Sequence, residues 1–266
     1  MLRTQKLTKR FGGLTAVDEV DFELEDELCS LIGPNGAGKT TFFDLLTGTL
    51  RPSSGTIELK TERGWRDMTE AGTDETASLG LHRSYQITNI FSGSTVAENV
   101  RIAAQAHGND SFTLWRNTKA FDGYIEEAHS ILERVGLASE AETTASNLSH
   151  GEKRKLEVAI ALAGDPDVLL LDEPNAGVSS ESVEEIIALI HDVADDHAVL
   201  LVEHNMDIVM NVSDRIVVLH QGAVIADGDP ETIQNDPAVQ EAYFGSYADD
   251  WKDASGTKRG TEGTTA

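Results

Sequence analysis

Residues 33–40 read Gly33-Pro34-Asn35-Gly36-Ala37-Gly38-Lys39-Thr40, a match to G-x-x-x-x-G-K-S/T. An apolar run ends at Ile32 just before it, and Thr41-Phe42-Phe43-Asp44-Leu45-Leu46 opens a helical pattern just after it. Glycines let such a loop wrap so that backbone N–H groups converge on phosphate oxygens, and the helix start adds partial positive charge. Lys39 is placed to neutralise β- and γ-phosphates, and the Thr40 hydroxyl to ligate Mg²⁺. A second constellation is Val168-Leu169-Leu170-Leu171-Asp172-Glu173-Pro174. Four apolar residues predict a central strand, with Asp172 at its carboxyl end, where open α/β sheets place ligands and where it can hold Mg²⁺. Glu173, one residue further, is positioned to polarise a water attacking a γ-phosphate. A third is Leu148-Ser149-His150-Gly151-Glu152, a Ser-Gly turn opening a helix. Taken alone it is a helix cap or a set of N–H donors for an anion.

These groups need elements to position them. Cys29–Ile32, Val168–Leu171 and Ala198–Val202 are short and, but for Ser30, apolar, as strands of a parallel sheet covered on both faces are. Between them, Glu126–Val135 sets Ala128, Ile131, Leu132 and Val135 on one helical face. Glu181–Ala194 does the same with Val183, Ile186, Ile187, Ile190 and Val193. Strands alternating with helices indicate an α/β fold. Residues 60–80 read as a hairpin plus loop, and 92–147 as an inserted, mostly helical unit with a polar break at His107–Asp110. Arg215–Leu219 and Ala223–Ala226 flank His220-Gln221-Gly222, a hairpin signal. The stretch from Asp249 is polar, rich in Gly and Thr, and expected to be disordered.

Order and spacing join these pieces. The phosphate loop, a lone Gln86, the Ser-Gly turn at 148–152, the strand ending in Asp172-Glu173, and His204 follow one another as in the ATPase subunits of ABC transporters, which the chain resembles from Phe11 to about Gly245. The turn resembles that family's Leu-Ser-Gly-Gly-Gln signature, with His150 for the first Gly and Glu152 for Gln. The resemblance implies a P-loop NTPase fold of the ABC type: a RecA-like core, an antiparallel β subdomain and an inserted helical subdomain at about 87–147. It implies one nucleotide-binding domain over 1–245 and a tail over 246–266. It implies ATP and Mg²⁺ as cofactors. Phe11 would stack on adenine, and Gly33 to Thr41 would cradle the phosphates. Thr40, Gln86 and Asp172 would serve the metal. Glu173, His204 and Gln86 would serve catalysis. Ser149, Gly151 and Glu152 would meet the nucleotide of a partner. Singly, Phe11 reads as core, Gln86 as a loop residue and His204 as a strand-end cap; the collinear set gives them these roles.

Two departures stand out. Ser179 occupies the position where the family usually has Asp after Pro174, and Glu152 brings negative charge close to a phosphate. With one phosphate loop and one signature, the resemblance implies a dimer with an identical or a related chain. It also implies two transmembrane permease subunits met by residues 87–147 (Trp115-Arg116 being either a contact or subdomain core) and an extracytoplasmic solute-binding protein. The chain would lie on the cytoplasmic face of the membrane. Tyr85–Thr88, Asn175–Val178, Glu203–Asp207 and the ending Gly228 to Gly245 resemble the ATP-binding subunits of branched-chain amino-acid importers. Urea and short-chain amide importers share most of these features. A GTPase would need an Asn-Lys-x-Asp motif, which is missing, and a soluble non-transport ABC ATPase would carry a coiled-coil insert or a second cassette.

Composition agrees with this class. The 266 residues carry 46 acidic and 21 basic side chains, a net charge of −25. Such a surface repels nucleic acid and anionic lipid. One cysteine, Cys29, excludes an internal disulfide, and no apolar run is long enough to span a bilayer. A charge this far from zero is the expectation for a protein working in molar salt.

Overall fold

The computed structural model describes residues 1–84, 90–107, 118–178 and 180–244, with the backbone alone at 118–121, 180, 181 and 244. Gln86, Trp115, Arg116, Ser179 and the tail lie outside the described residues. In chain order the elements are β1 (Leu2–Phe11), β2 (Leu14–Leu24), β3 (Leu28–Ile32), α1 (Lys39–Leu46), β4 (Ser54–Thr61), β5 (Gly64–Asp67), α2 (Thr73–Ser78) and β6 (Leu81–Ser84). Then come α3 (Val96–His107), α4 (Thr118–Arg134), α5 (His150–Leu162), β7 (Val168–Asp172), α6 (Ser180–Ala194) and β8 (Ala198–Val202). The chain continues through α7 (Met206–Val212), β9 (Arg215–His220), β10 (Ala223–Gly228), α8 (Pro230–Asn235) and α9 (Pro237–Phe244).

The larger sheet has the order β10-β9-β3-β8-β7-β6, parallel except for β10. Its apolar runs are explained by burial on both faces. Leu169, Leu171, Val199 and Leu201 face a helical layer with α3 to α6, while Val168, Leu170, Leu200 and Val202 face α1 and a second sheet. Each fully buried Leu or Val contributes about 1.5–3 kcal/mol. The strand ending in Asp172 is interior but not central: β8 and β6 flank it, and β3 and β8 are the middle pair.

The second sheet, β2-β1-β4-β5, is antiparallel. Its β2 alternates Val20, Phe22 and Leu24 inward with Glu19, Asp21 and Glu23 outward, the period of a half-covered strand. The expected hairpin over 60–80 proves to be the end of β4 with β5, followed by the helix α2 instead of a bare loop. Gln221 and Gly222, at φ 50° and 86°, make the tight turn of the β9–β10 hairpin. The predicted helical faces lie on α4 and α6, except that α4 ends at Arg134, one residue before Val135; Ala128, Leu132, Ile186, Ile190 and Val193 are buried. No helix among the described residues is long and apolar enough to cross a membrane.

The register brings the chemistry to one edge. Leu31 of β3 and Asp172 of β7 both pair with Val202 of β8. The loop after Ile32, the Asp172-Glu173 pair and the Glu203-His204 pair therefore leave the sheet at the same level, at the carboxyl ends of its parallel strands.

Candidate nucleotide site

The loop between β3 and α1 depends on two glycines. Gly33 has φ 155° and a Cβ there would lie 2.1 Å from the Leu219 carbonyl oxygen; Gly38 has φ 108° and its Cβ would lie 2.3 Å from the Ala16 carbonyl oxygen. Only glycine fits either place. Gly38 is the residue before α1, and no side chain caps it. The first-turn amides of α1, which have no intrahelical acceptor, are left to meet an anion. Lys39 is buried and its ammonium donates to the carbonyl oxygens of Gly33 at 2.6 Å and Pro34 at 3.2 Å. Burial lowers its pKa below the usual lysine value, and the charges of Glu173 and Asp172 oppose that.

A cleft of about 400 Å³ opens over this loop, lined by Phe11, Leu14, Ala16, Asn35 to Thr41, Glu173, Val202 and His204. Phe11 is 47% exposed at its end, with the Lys9 ammonium 5.1 Å from the ring centroid. A ring exposed to this degree is not a core residue. Opposite, Glu173 takes φ 50°, an uncommon conformation for a residue with a side chain. Its amide donates to the Val202 carbonyl at 2.8 Å, and its Oε1 stands 2.7 Å from His204 Nε2. Glu173 and His204, 31 positions apart, thus form one unit facing the loop. A larger cleft of about 730 Å³ between β5 and Asp165 has no phosphate loop in its lining.

Asp172 has a partner that sequence reasoning missed. Arg83 of β6 donates to Asp172 Oδ2 at 2.6 Å and to Asp44 Oδ1 of α1 at 2.7 Å, and the Arg83 side chain is only 6% exposed. This ion triad ties three elements together beneath the loop. Its sequence signal was a lone cation in a four-residue strand; nothing indicated which carboxylates it would meet. Glu203 was missed as well. Buried at the end of β8, it accepts the amides of Asn175 and His204 and the Asn175 Nδ2 group, each at 3.1 Å. A carboxylate held by three N–H donors fixes the turn after Glu173 to His204.

Ser149, Gly151 and Glu152 do not line the cleft. Ser149 caps α5: its hydroxyl accepts the Glu152 amide, and Glu152 Oε2 accepts the Ser149 amide at 2.7 Å. Those bonds hold the Glu152 carboxyl below its ordinary pKa. Glu152, expected near a phosphate, here turns its charge onto its own helix start. Gly151 packs on α6, where a Cβ would sit 3.3 Å from Ser182 Cβ.

Comparison with known proteins agrees with this geometry. Residues 17–176 match the ABC transporter family, and 223–249 match the family described as branched-chain amino acid ATP-binding cassette transporter. The chain belongs to the ABC transporter ATPases: it is an ATP-binding subunit of the ABC class, with the P-loop ABC ATPase fold. The high-affinity branched-chain amino acid transport ATP-binding protein LivG of Salmonella typhimurium is 41% identical over 253 residues, covering 92% of this chain and 98% of the relative. BraF of Pseudomonas aeruginosa, of the same description, is 40% identical over the same share of this chain and 98% of its own. Among solved structures, an ATP-binding cassette of an ABC transporter in its ADP conformation superposes with a TM-score of 0.78 at 28% identity. That match covers 92% of this chain and 98% of the other.

Proposed function

We propose that this chain is the ATP-hydrolysing subunit of an importer for branched-chain amino acids. One observation carries the enzymatic part: Lys39, Glu173 and His204 converge on one cleft, with Glu173 and His204 paired at 2.7 Å. The substrate class rests on the likeness to LivG and BraF over 92% of the chain, and on the family match at 223–249.

In this mechanism the amides from Gly36 to Thr41 and the Lys39 ammonium hold the β- and γ-phosphates. The Thr40 hydroxyl in the first turn of α1 and the Asp172 carboxylate at the end of β7 are hard oxygen donors, the type that Mg²⁺ takes together with substrate phosphates. When bound, Mg²⁺ supplies charge neutralisation on those phosphates. Glu173 orients a water and accepts its proton, and His204 holds Glu173 in place and reaches towards the γ-phosphate. By the family resemblance, Gln86 would serve the metal and the attacking water. Phosphoryl transfer asks little covalent chemistry of a protein, so positioning and charge supply the rate.

The Ser149 end of α5 serves a partner's nucleotide, which requires a second ATP-binding subunit, identical or related. The system further comprises two permease subunits, met by the helical layer, and an extracytoplasmic solute-binding protein. The chain then works at the cytoplasmic face of the membrane. Deleting the gene and measuring labelled leucine uptake tests the assignment. Loss of leucine uptake is the expected result. Intact leucine uptake with loss of urea or another solute overturns the substrate class.

A further inference from the structure

Gly33 has to be glycine, because no side chain fits against the Leu219 carbonyl. Glycine is also the residue whose backbone is freest to move. Other groups must therefore hold it, and two bonds do, one from within the loop motif and one from outside it. Its carbonyl accepts the Lys39 ammonium at 2.6 Å, and its amide donates to the Tyr243 hydroxyl of α9 at 2.8 Å. Tyr243, Gly33 and Lys39 form a line of contacts from the last described helix to the loop's only cation.

That helix is itself well seated. Val239 of α9 and Ile233 of α8 share a cluster with Ile32, the residue before the loop, and with Val209, Ile216 and Val218, while Tyr243 and Met206 pack against it. Met206 begins α7, two residues after His204. One helix pair thus touches the root of the phosphate loop and the helix that follows the catalytic histidine. We propose that Tyr243 is a positioning residue for the phosphate loop, and that α8 and α9 brace that loop against the His204 segment. The proposal rests on the ATP-binding role of the loop.

The ring supplies packing and the hydroxyl supplies the acceptor, so Tyr243→Phe separates them. Losing one hydrogen bond to a buried amide at the root of the loop should raise KM for MgATP about 3- to 10-fold. Because the hydroxyl bonds the amide at the root of the loop and Tyr243 does not line the cleft, kcat should stay within about twofold. Amide exchange in the peptide spanning residues 28–38, measured without nucleotide, should quicken in the same variant. Leu132→Ala, in the helical-layer core, is the control for general destabilisation. It should lower the melting temperature while leaving KM and the 28–38 exchange close to wild type.

Wild-type KM and wild-type exchange in Tyr243→Phe would overturn the proposal. So would equal changes in Leu132→Ala, since they would reduce Tyr243 to a packing residue. Failure of the wild-type chain to bind MgATP at all would overturn the ATP assignment instead, and the exchange comparison would still decide on Tyr243.

Discussion

Two helices begin at the motifs singled out in the sequence, α1 after Gly33–Gly38 and α5 after Leu148–Ser149, and their first turns are satisfied in opposite ways. At α1 the residue before the helix is a left-handed glycine with no capping side chain, no acid stands in the first turn, and a buried lysine sits at its start. At α5, Ser149 and Glu152 bond reciprocally, so hydroxyl and carboxylate are both spent on the helix's own backbone. Both ends carry the partial positive charge of a helix start, yet only the first is left open to an anion from its own chain. Helix geometry alone therefore does not make an anion site. What decides is whether local side chains have already taken the amides. In the proposed mechanism the first loop binds by its backbone, whereas the second is a capped surface that would meet the nucleotide of a partner, identical or related.

The largest expected effect breaks the open side. Lys39→Ala removes the one cation at the loop and should weaken MgATP binding about 30-fold or more, given the strength of charged hydrogen bonds. Equilibrium binding of a fluorescent ATP analogue measures it, and an affinity within threefold of wild type would show that the amides suffice. Salt acts on both sides together. A net charge of −25 far exceeds the magnitude of about 2–8 that solubility asks for, and its self-repulsion is largely screened once the Debye length falls to about 3 Å. The melting midpoint should rise several degrees between about 0.1 and about 2 M KCl, at about 2–4 °C per kcal/mol. An unchanged melt would end the proposal of a high-salt protein.

Smaller effects sharpen the closed side. Ser149→Ala should cost about 1 kcal/mol of stability, read by denaturant unfolding, because it removes the cap of α5. Loss of stability below about 0.3 kcal/mol would mean the capping box is idle. The smallest effect is in pH. The Glu152 carboxyl is held below its ordinary value of 4.5 by its bonds to Ser149. A lowered folded-state pKa means a contribution that is full above the ordinary value and lost as pH falls through the depressed one. Wild type should lose slightly more stability on acidification below about pH 4.5 than Glu152→Gln, which keeps a side-chain acceptor for the cap without titrating. Parallel acid curves would remove Glu152 from the cap.

The parts legible in the sequence were those with a short-range rule. The phosphate loop is dictated by glycines that no other residue can replace, and β7, β8 and β9 by apolar runs or a hairpin signal. Residue-level reasoning did not find β1 and β2, although Val20, Phe22 and Leu24 alternate with acids, because β-bulges near Lys6 and Glu19 interrupt the alternation. The contacts of Arg83, Glu203 and Tyr243 were not legible, although Glu203 and Tyr243 stand in stretches that carried the resemblance. Each acts on a residue distant in the chain, Asp172, Asn175 or Gly33, through a contact that only the sheet order and the seating of α9 create. The same holds for the capping box in part: its residues could be read, but that Glu152 would turn inward to the helix start could not.

The pairing of Glu173 with His204 over the open loop is the centre of the account, and Glu173→Gln tests it most directly. Glutamine keeps the size and hydrogen bonding of the side chain but cannot take a proton from water. ATP turnover and size-exclusion mass should be measured for this variant and wild type with the partner subunit and molar KCl present. The account predicts unchanged ATP affinity, turnover slowed about 10²-fold or more, and accumulation of an ATP-bound dimer. Wild-type turnover by Glu173→Gln would contradict it, because the carboxylate that faces the loop would then not be the one that activates water.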